Sequence, residues 1–371
     1  MKYKIAVFPG DGVGPELIKE GVKVISKAAE LDKFEIEYVN YPYGAEHYDE
    51  TKEILSERIL KNIKDSCSAI YCGTFDNSSN GFIPVSKTIR DYFEQSISLM
   101  PIKLLPTIES PLSNKAGKEI DFTIIRESSE EFFSGSSGRA KNGKSMQQLE
   151  INKSDFKSRL GLDIKAKGDV SCQIGVLSRN GCDKAVKYCF EYAKSHNKKK
   201  IISVDKSNTL QFHDLWRESF SRISKDYSGI EHEFKLIDAV VMNIVRQPEK
   251  FEVLAAPNIF GEILSDLGAA IQGISYAARG NINPDGISMF EPVHGCATKL
   301  KDKGIVNPIA TIYAGSLMLD AIGQQKSGDL IIKSINSVLT DGRARTQDLD
   351  GNNTTSDMGD AILDKFIELH D

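Results

Sequence analysis

An α/β protein in two lobes is the fold class that the sequence predicts, and three observations predict it. Short β-branched and aromatic runs alternate along the chain with stretches whose apolar residues recur at helical spacing. A glycine turn, Pro9-Gly10-Asp11-Gly12-Val13-Gly14, joins the first such run to the first such stretch. The length, 371 residues, exceeds what one hydrophobic core usually organises.

The run at 3–8 reads as a strand, and Ile18, Val22, Ile25 and Ala29 behind the glycine turn read as one face of a helix. Further strands are expected at 69–72, 122–125, 174–177, 201–204 and 251–255. Helices are expected around 182–195, 209–223, 259–273, 308–322 and 358–368. The stretch 134–168 is rich in Ser, Gly, Lys and Asn with little periodicity, so it reads as an excursion from the core. There is no internal repeat and no low-complexity tail.

Hydrophobic residues make up 40% and charged residues 27% of the chain, a globular composition, and no apolar run is long enough to cross a bilayer. No membrane partner is therefore expected. The start shows no signal-peptide cleavage pattern, which points to the cytoplasm or an organelle matrix. Cys67, Cys72, Cys172, Cys182, Cys189 and Cys296 form no CxxC pair and no metal-ligand spacing, so they read as free thiols without a catalytic role. A formal net charge of −5 argues against nucleic acid as a partner, because phosphate binding needs a positive footprint. Lys198, Lys199 and Lys200 read as a solvated face before a strand.

Four constellations could carry chemistry. The glycine turn lacks the G-x-G-x-x-G spacing of a dinucleotide fingerprint, and a tight strand-to-helix turn explains it as well. Asn258-Ile259-Phe260-Gly261-Glu262-Ile263-Leu264-Ser265-Asp266 opens a helix with two carboxylates four residues apart on one face. Such acids either complement the helix dipole or hold a cation, and oxygen-only ligands suit Mg²⁺ or Mn²⁺. Asp238, between the apolar runs at 236–237 and 239–241, is a third acid that could also cap a helix. In Val204-Asp205-Lys206-Ser207-Asn208 a lysine follows a buried-looking strand, the place of a general acid/base or of a snorkelling surface side chain. In Glu291-Pro292-Val293-His294-Gly295, followed by Asn307-Pro308 and a helix, a loop histidine suits stacking on an adenine near a bound phosphate, although a lone loop histidine usually does neither.

In this order and spacing the segments resemble the β-decarboxylating dehydrogenases, the isocitrate/3-isopropylmalate dehydrogenase family, which also contains homoisocitrate and tartrate dehydrogenases. The match runs from GDGVGPE at 10–16 through Arg126-Glu127, VDKSN at 204–208, NIFGEILSD at 258–266 and EPVHG at 291–295 to NPIATI at 307–312. The resemblance implies a two-lobed α/β sandwich, not a Rossmann fold, with the active site in the cleft. It implies a large nucleotide-binding domain, 1–98 with 253–371, and a small domain, 99–252, carrying the dimer interface and a clasp at about 134–168. It implies a homodimer, or a higher multiple, with shared active sites. Lys206 matches the family's acid/base, and Asp238, Glu262 and Asp266 match its Mg²⁺ or Mn²⁺ ligands, with Lys206 and Asp238 reaching into the neighbour's site. Arg90 and Arg126 match two arginines that grip the carboxylates of a small hydroxy-carboxylic acid. Glu291, His294, Gly295, Lys299, Asn307 and Asn208 match the contacts to NADP or NAD.

The departures are specific. Met100, within Leu99-Met100-Pro101, stands where the family carries a third substrate arginine, and a thioether cannot hold a carboxylate. Phe133 stands where a tyrosine protonates the enol after decarboxylation, and Glu262 replaces an aspartate. The segment before Arg90, at 82–89, matches no substrate-specificity pattern. Lys299 favours a 2′-phosphate, whereas Arg345-Thr346-Gln347-Asp348-Leu349 resembles NAD-using members. The expected activity is oxidation, with decarboxylation, of a malate-type 2-hydroxy acid. Phe133 and Met100 make a catalytically impaired regulatory subunit the alternative.

Overall fold

The computed structural model describes residues 1–76, 84–112, 119–134, 137–141, 143–152 and 156–370. The chain forms two compact units, Met1–Asp121 with Leu267–Asp371, and Phe122–Asp266.

In the first unit the chain runs β1 (Lys2–Gly10), α1 (Gly14–Leu31), β2 (Glu35–Asn40), α2 (Ala45–Thr51), α3 (Glu57–Ser66), β3 (Ala69–Thr74), α4 (Val85–Tyr92) and β4 (Ile97–Lys103). In the second it forms β5 (Asp121–Glu127), β6 (Ser137–Ala140), β7 (Gly143–Asn152), β8 (Lys157–Ala166), β9 (Val170–Gln173), α5 (Arg179–Ser195), β10 (Lys200–Asp205), α6 (Asp214–Ile223), β11 (Glu231–Leu236), α7 (Ile237–Arg246), β12 (Val253–Ala256) and α8 (Asn258–Gln272). It then returns as β13 (Ala278–Ile282), β14 (Met289–Pro292), α9 (Ile309–Ala321), α10 (Gln325–Asp341) and α11 (Thr355–His370).

The strand order in the first unit is β4-β13-β14-β3-β1-β2, with β1 parallel to β2 and β3, and β13 antiparallel to both its neighbours. That is not the all-parallel order of a Rossmann fold. Every residue of β3 is buried, as a strand covered on both faces must be. The core on one face gathers Ala6, Phe8, Leu60, Ile63, Ile70 and Met289. On α9 the buried residues occur all round, so it is an interior helix, and Tyr71 donates to the Thr311 carbonyl at 2.7 Å.

The second unit orders its parallel strands β11-β10-β12-β5. Phe190 and Phe220 pack at 5.1 Å beneath them, and Trp216 donates to the Ser203 hydroxyl at 3.0 Å.

Both lobe boundaries differ from those expected at 98/99 and 252/253. β4 hydrogen-bonds to β13, which keeps it with the first unit, whereas β12 pairs with β10 and β5, which keeps it in the second. Two local readings are also corrected. The strand expected at 174–177 is reduced to a bridge between Val176 and Glu131. The excursion at 134–168 has a regular part: β7 and β8 form an antiparallel ribbon, and Leu160, Leu162 and Ile164 alternate with exposed neighbours along β8. Residues 135, 136, 142 and 153–155 of that excursion, and 82–83 of the segment before Arg90, lie outside the described residues.

The glycine turn works against protein backbone. A Cβ on Gly10 would stand 2.0 Å from the Thr74 carbonyl oxygen, and one on Gly12 would stand 2.1 Å from that of Cys296. Asp11 is buried and accepts from the amides of Ala45, Glu46 and Asp76, tying the turn to the start of α2.

Candidate active site

In the second unit the acid/base candidate is positioned by strand register. β10 and β11 run parallel with Asp205 opposite Leu236, so the residues just beyond their ends emerge at one level. Asp205 is buried and accepts from Ser207 N–H at 2.9 Å and Arg217 Nε at 2.7 Å, which turns the chain after the strand. Lys206 Nζ then meets Asp238, in the first turn of α7, at 2.7 Å. The ammonium beside it lowers the Asp238 pKa, so that group is a carboxylate at neutral pH. Asp238 does not cap its helix; its first-turn position and the lysine satisfy it instead. Asn208 lies exposed on the same loop.

The other two acids lie on α8. Asn258, buried at the helix start, accepts from Arg126 through Nε at 2.9 Å and Nη2 at 2.5 Å, and donates to the Glu130 carbonyl at 2.9 Å. Arg126 comes from β5, opposite Ala256 of β12. Gly261 permits its approach, because a Cβ there would stand 2.6 Å from Arg126 side-chain carbons. Glu262 accepts from Arg126 Nη2 at 2.7 Å, while Asp266 stands exposed one turn on. The Arg126 guanidinium also lies 5.5 Å from the ring of Phe133, which is 52% exposed. Among the described residues of this chain no three His, Cys, Asp or Glu side chains gather as a metal would need. Asp238 is paired with Lys206, and Glu262 with Arg126.

In the first unit Arg90 occupies the last turn of α4 and Met100 is buried in β4. The nucleotide-type loop follows β14. Glu291 faces inward across the β13–β14 ladder and accepts from Arg279 Nε at 2.8 Å and Asn281 Nδ2 at 2.9 Å. His294 is held through Nδ1 to the Gly295 carbonyl at 3.0 Å, and its Nε2 is buried with no partner among the described residues. Burial lowers its pKa, so the ring is neutral at pH 7; with Nδ1–H donating, Nε2 presents a lone pair. Asn307 is committed at both ends: Oδ1 accepts from the Ile309 amide at the start of α9 at 3.0 Å, and Nδ2 donates to Asp348 at 3.1 Å. Asp348 also accepts from Tyr276 at 3.0 Å and Thr346 at 2.5 Å, and burial followed by the Asp348 charge raises the Tyr276 pKa. Gly295 and Lys299 are exposed.

Sequence reading missed Glu131 and His213, which meet at 2.6 Å from positions 82 apart, and Tyr276, which lies 72 positions from Asp348; no spacing signal could have joined either pair.

The lysine–carboxylate pair and the acid-bearing helix of the second unit, with the histidine loop of the first, define the class as dehydrogenases once the relatives are considered. The family described as isocitrate/isopropylmalate dehydrogenase matches residues 4–362. The D-malate dehydrogenase [decarboxylating] of Escherichia coli K12 is 33% identical, with 97% of each chain covered. A probable tartrate dehydrogenase/decarboxylase of Bacillus subtilis is 32% identical, with 99% of each covered. The crystal structure of isocitrate dehydrogenase from Methylococcus capsulatus superposes with a TM-score of 0.80 at 29% identity, covering 98% of this chain and 99% of that one. The chain belongs to the isocitrate/isopropylmalate dehydrogenase family.

Proposed function

We propose that the protein oxidises a malate-type 2-hydroxy acid with NAD(P) and a divalent metal, and that the oxidation is followed by decarboxylation. The Lys206–Asp238 pair carries this reading: parallel register brings an amine and a carboxylate 32 positions apart to 2.7 Å, with the Lys206 side chain 27% exposed. That is the equipment of a general acid/base able to reach a hydroxyl proton. Lys206 would take that proton and later return one to the product, while Asp238 holds Nζ in place. Arg126 and Arg90 would orient the substrate carboxylates. Glu262 and Asp266, with Asp238 of the partner subunit, supply oxygen donors that suit Mg²⁺ or Mn²⁺. Bound there, the ion would stabilise negative charge on the substrate oxygen.

The Nε2 of His294 supports nucleotide binding, since a buried acceptor with no partner among the described residues fits an adenine amino group. Glu291 and Asn307 would shape the pocket, with Gly295 and Asn208 beside the cofactor, and Lys299 would favour NADP by meeting a 2′-phosphate. The β7–β8 ribbon, together with Met242 and Val245 on α7 and Ile263 on α8, exposed at 61%, 45% and 51%, supports a homodimer in which Lys206 and Asp238 serve the partner's site. Met100 and the Glu262–Arg126 pair favour an acid with fewer carboxylates to hold than isocitrate.

The test is a turnover screen with Mn²⁺, both cofactors and malate, tartrate, 3-isopropylmalate, homoisocitrate and isocitrate. Reduction of cofactor with at least one acid is expected, and Lys206→Ala should lower kcat about 10²–10⁴-fold. Absence of turnover with every acid would leave the regulatory-subunit reading.

A further inference from the structure

Between the two halves of the second-unit site lies a carboxylate–imidazole pair that the proposed chemistry does not use. Glu131 and His213 are both 0% exposed, and Glu131 Oε1 lies 2.6 Å from His213 Nε2. The other ring nitrogen, Nδ1, accepts from the backbone N–H of Lys206 at 3.1 Å. The second carboxylate oxygen, Oε2, accepts from the backbone N–H of Ile259 at 2.6 Å, in the first turn of α8. Because a backbone amide occupies Nδ1, the ring proton belongs on Nε2, where it donates to Glu131. The negative carboxylate sits at a helix N-terminus, where the dipole favours it.

The backbone at Glu131 is in the left-handed region, φ 64°, which a non-glycine residue enters only against steric strain. It is held there by a two-way bridge in which Glu131 N–H donates to the Val176 carbonyl at 2.7 Å. The Phe260 ring, on α8, lies edge-on to His213 at 5.5 Å.

We infer that Glu131 and His213 form a buried strut that fixes the Lys206 loop against the first turn of α8, and that both are positioning residues for the reaction. The inference rests on the reading above only in taking Lys206 and the α8 acids as active-site groups. Where Lys206 serves the partner's site, the strut of one chain joins the lysine of one active site to the acid helix of the other. A displacement of α8 then moves the lysine that the same chain lends to its neighbour's site.

Two substitutions separate the halves of the strut. His213→Asn keeps an acceptor near the Lys206 amide but falls short of Glu131, whereas Glu131→Gln keeps the length and turns an amide N–H₂ toward one of two donors. Hydrogen exchange on the full chain, without substrate, is the primary readout. Glu131→Gln should raise exchange about tenfold or more both in a 258–262 peptide and in a 204–210 peptide, although Glu131 makes no hydrogen bond to Lys206. His213→Asn should raise it at 258–262 more than at 204–210. Deprotection by Glu131→Gln confined to 258–262, with 204–210 unchanged, overturns the strut. In the turnover assay both variants should lose about 10–100-fold in kcat with the KM for cofactor unchanged, the size seen when residues behind a site's ligands are altered. Equal loss in kcat and rise in cofactor KM would indicate a general folding defect and also overturn it. If the unaltered chain turns over no acid, the activity reading fails while the exchange result still decides the strut.

Discussion

Glu127 shows how one buried residue sets a pH response. It is 0% exposed, and burial, with the nearby Glu130 charge, raises its carboxyl pKa to about 7 despite hydrogen bonds from Ser129 and the Glu130 amide. Between its unfolded value near 4.5 and about 7 the folded state binds the extra proton, so stability falls as pH rises through that window. The full swing is about 3 kcal/mol. Urea unfolding at pH 5 and pH 8 should show the loss in the native chain and a much smaller one in Glu127→Gln; equal slopes would place the titration elsewhere. Phe133, half exposed beside Arg126, leaves room for a hydroxyl. Phe133→Tyr should raise steady-state turnover by up to about 10²-fold while single-turnover hydride transfer stays nearly constant. A rise in both rates would refute a role confined to enol protonation. Glu262→Asp withdraws the carboxylate from Arg126. The KM for a dicarboxylic substrate should then fall several-fold, and an unchanged KM would show that Arg126 does not meet the substrate.

At the scale of elements, the glycine turn after β1 is a packing device. Gly12 has φ 59° and no room for a Cβ against the Cys296 carbonyl, so Gly12→Ala combines left-handed strain with a displaced loop. A loss of roughly 2 kcal/mol or more in unfolding free energy is expected, read by chemical denaturation. Since Cys296 follows the His294 loop, nucleotide affinity should weaken with it. A variant as stable as the parent would mean that the loop yields freely. The β7–β8 ribbon is an element that cannot stand alone, because an isolated two-stranded hairpin is marginal in water. Ile151, 1% exposed, ties it into its own chain, while Met146, 87% exposed, has no cover within it.

For the whole molecule these exposed residues lead to one expectation about assembly. Light scattering at micromolar concentration should give a dimer or a multiple of one. Replacing 143–166 with a short Gly/Ser linker should shift it toward monomer and remove turnover together. A monomeric native chain with full activity would discard the shared-site arrangement.

Much of this molecule was legible in the sequence. Strand and helix periods, the glycine turn and the motifs at 204–208, 258–266 and 291–295 depend on residues adjacent in the chain, and these identified the α/β class and the family. The regular ribbon of 143–152 and 157–166 was hidden by its polar composition, since the alternation of Leu160, Leu162 and Ile164 is spread among charged residues and a glycine. Tertiary structure alone decided what the site residues touch. That Glu262 meets Arg126, that Asn307 is spent on Asp348, and that Glu131 links His213 to α8 all join positions from 41 to 136 apart. Composition and spacing fix which groups a chain possesses; only packing fixes which of them share a hydrogen bond, because that depends on strand order and register rather than on distance along the chain.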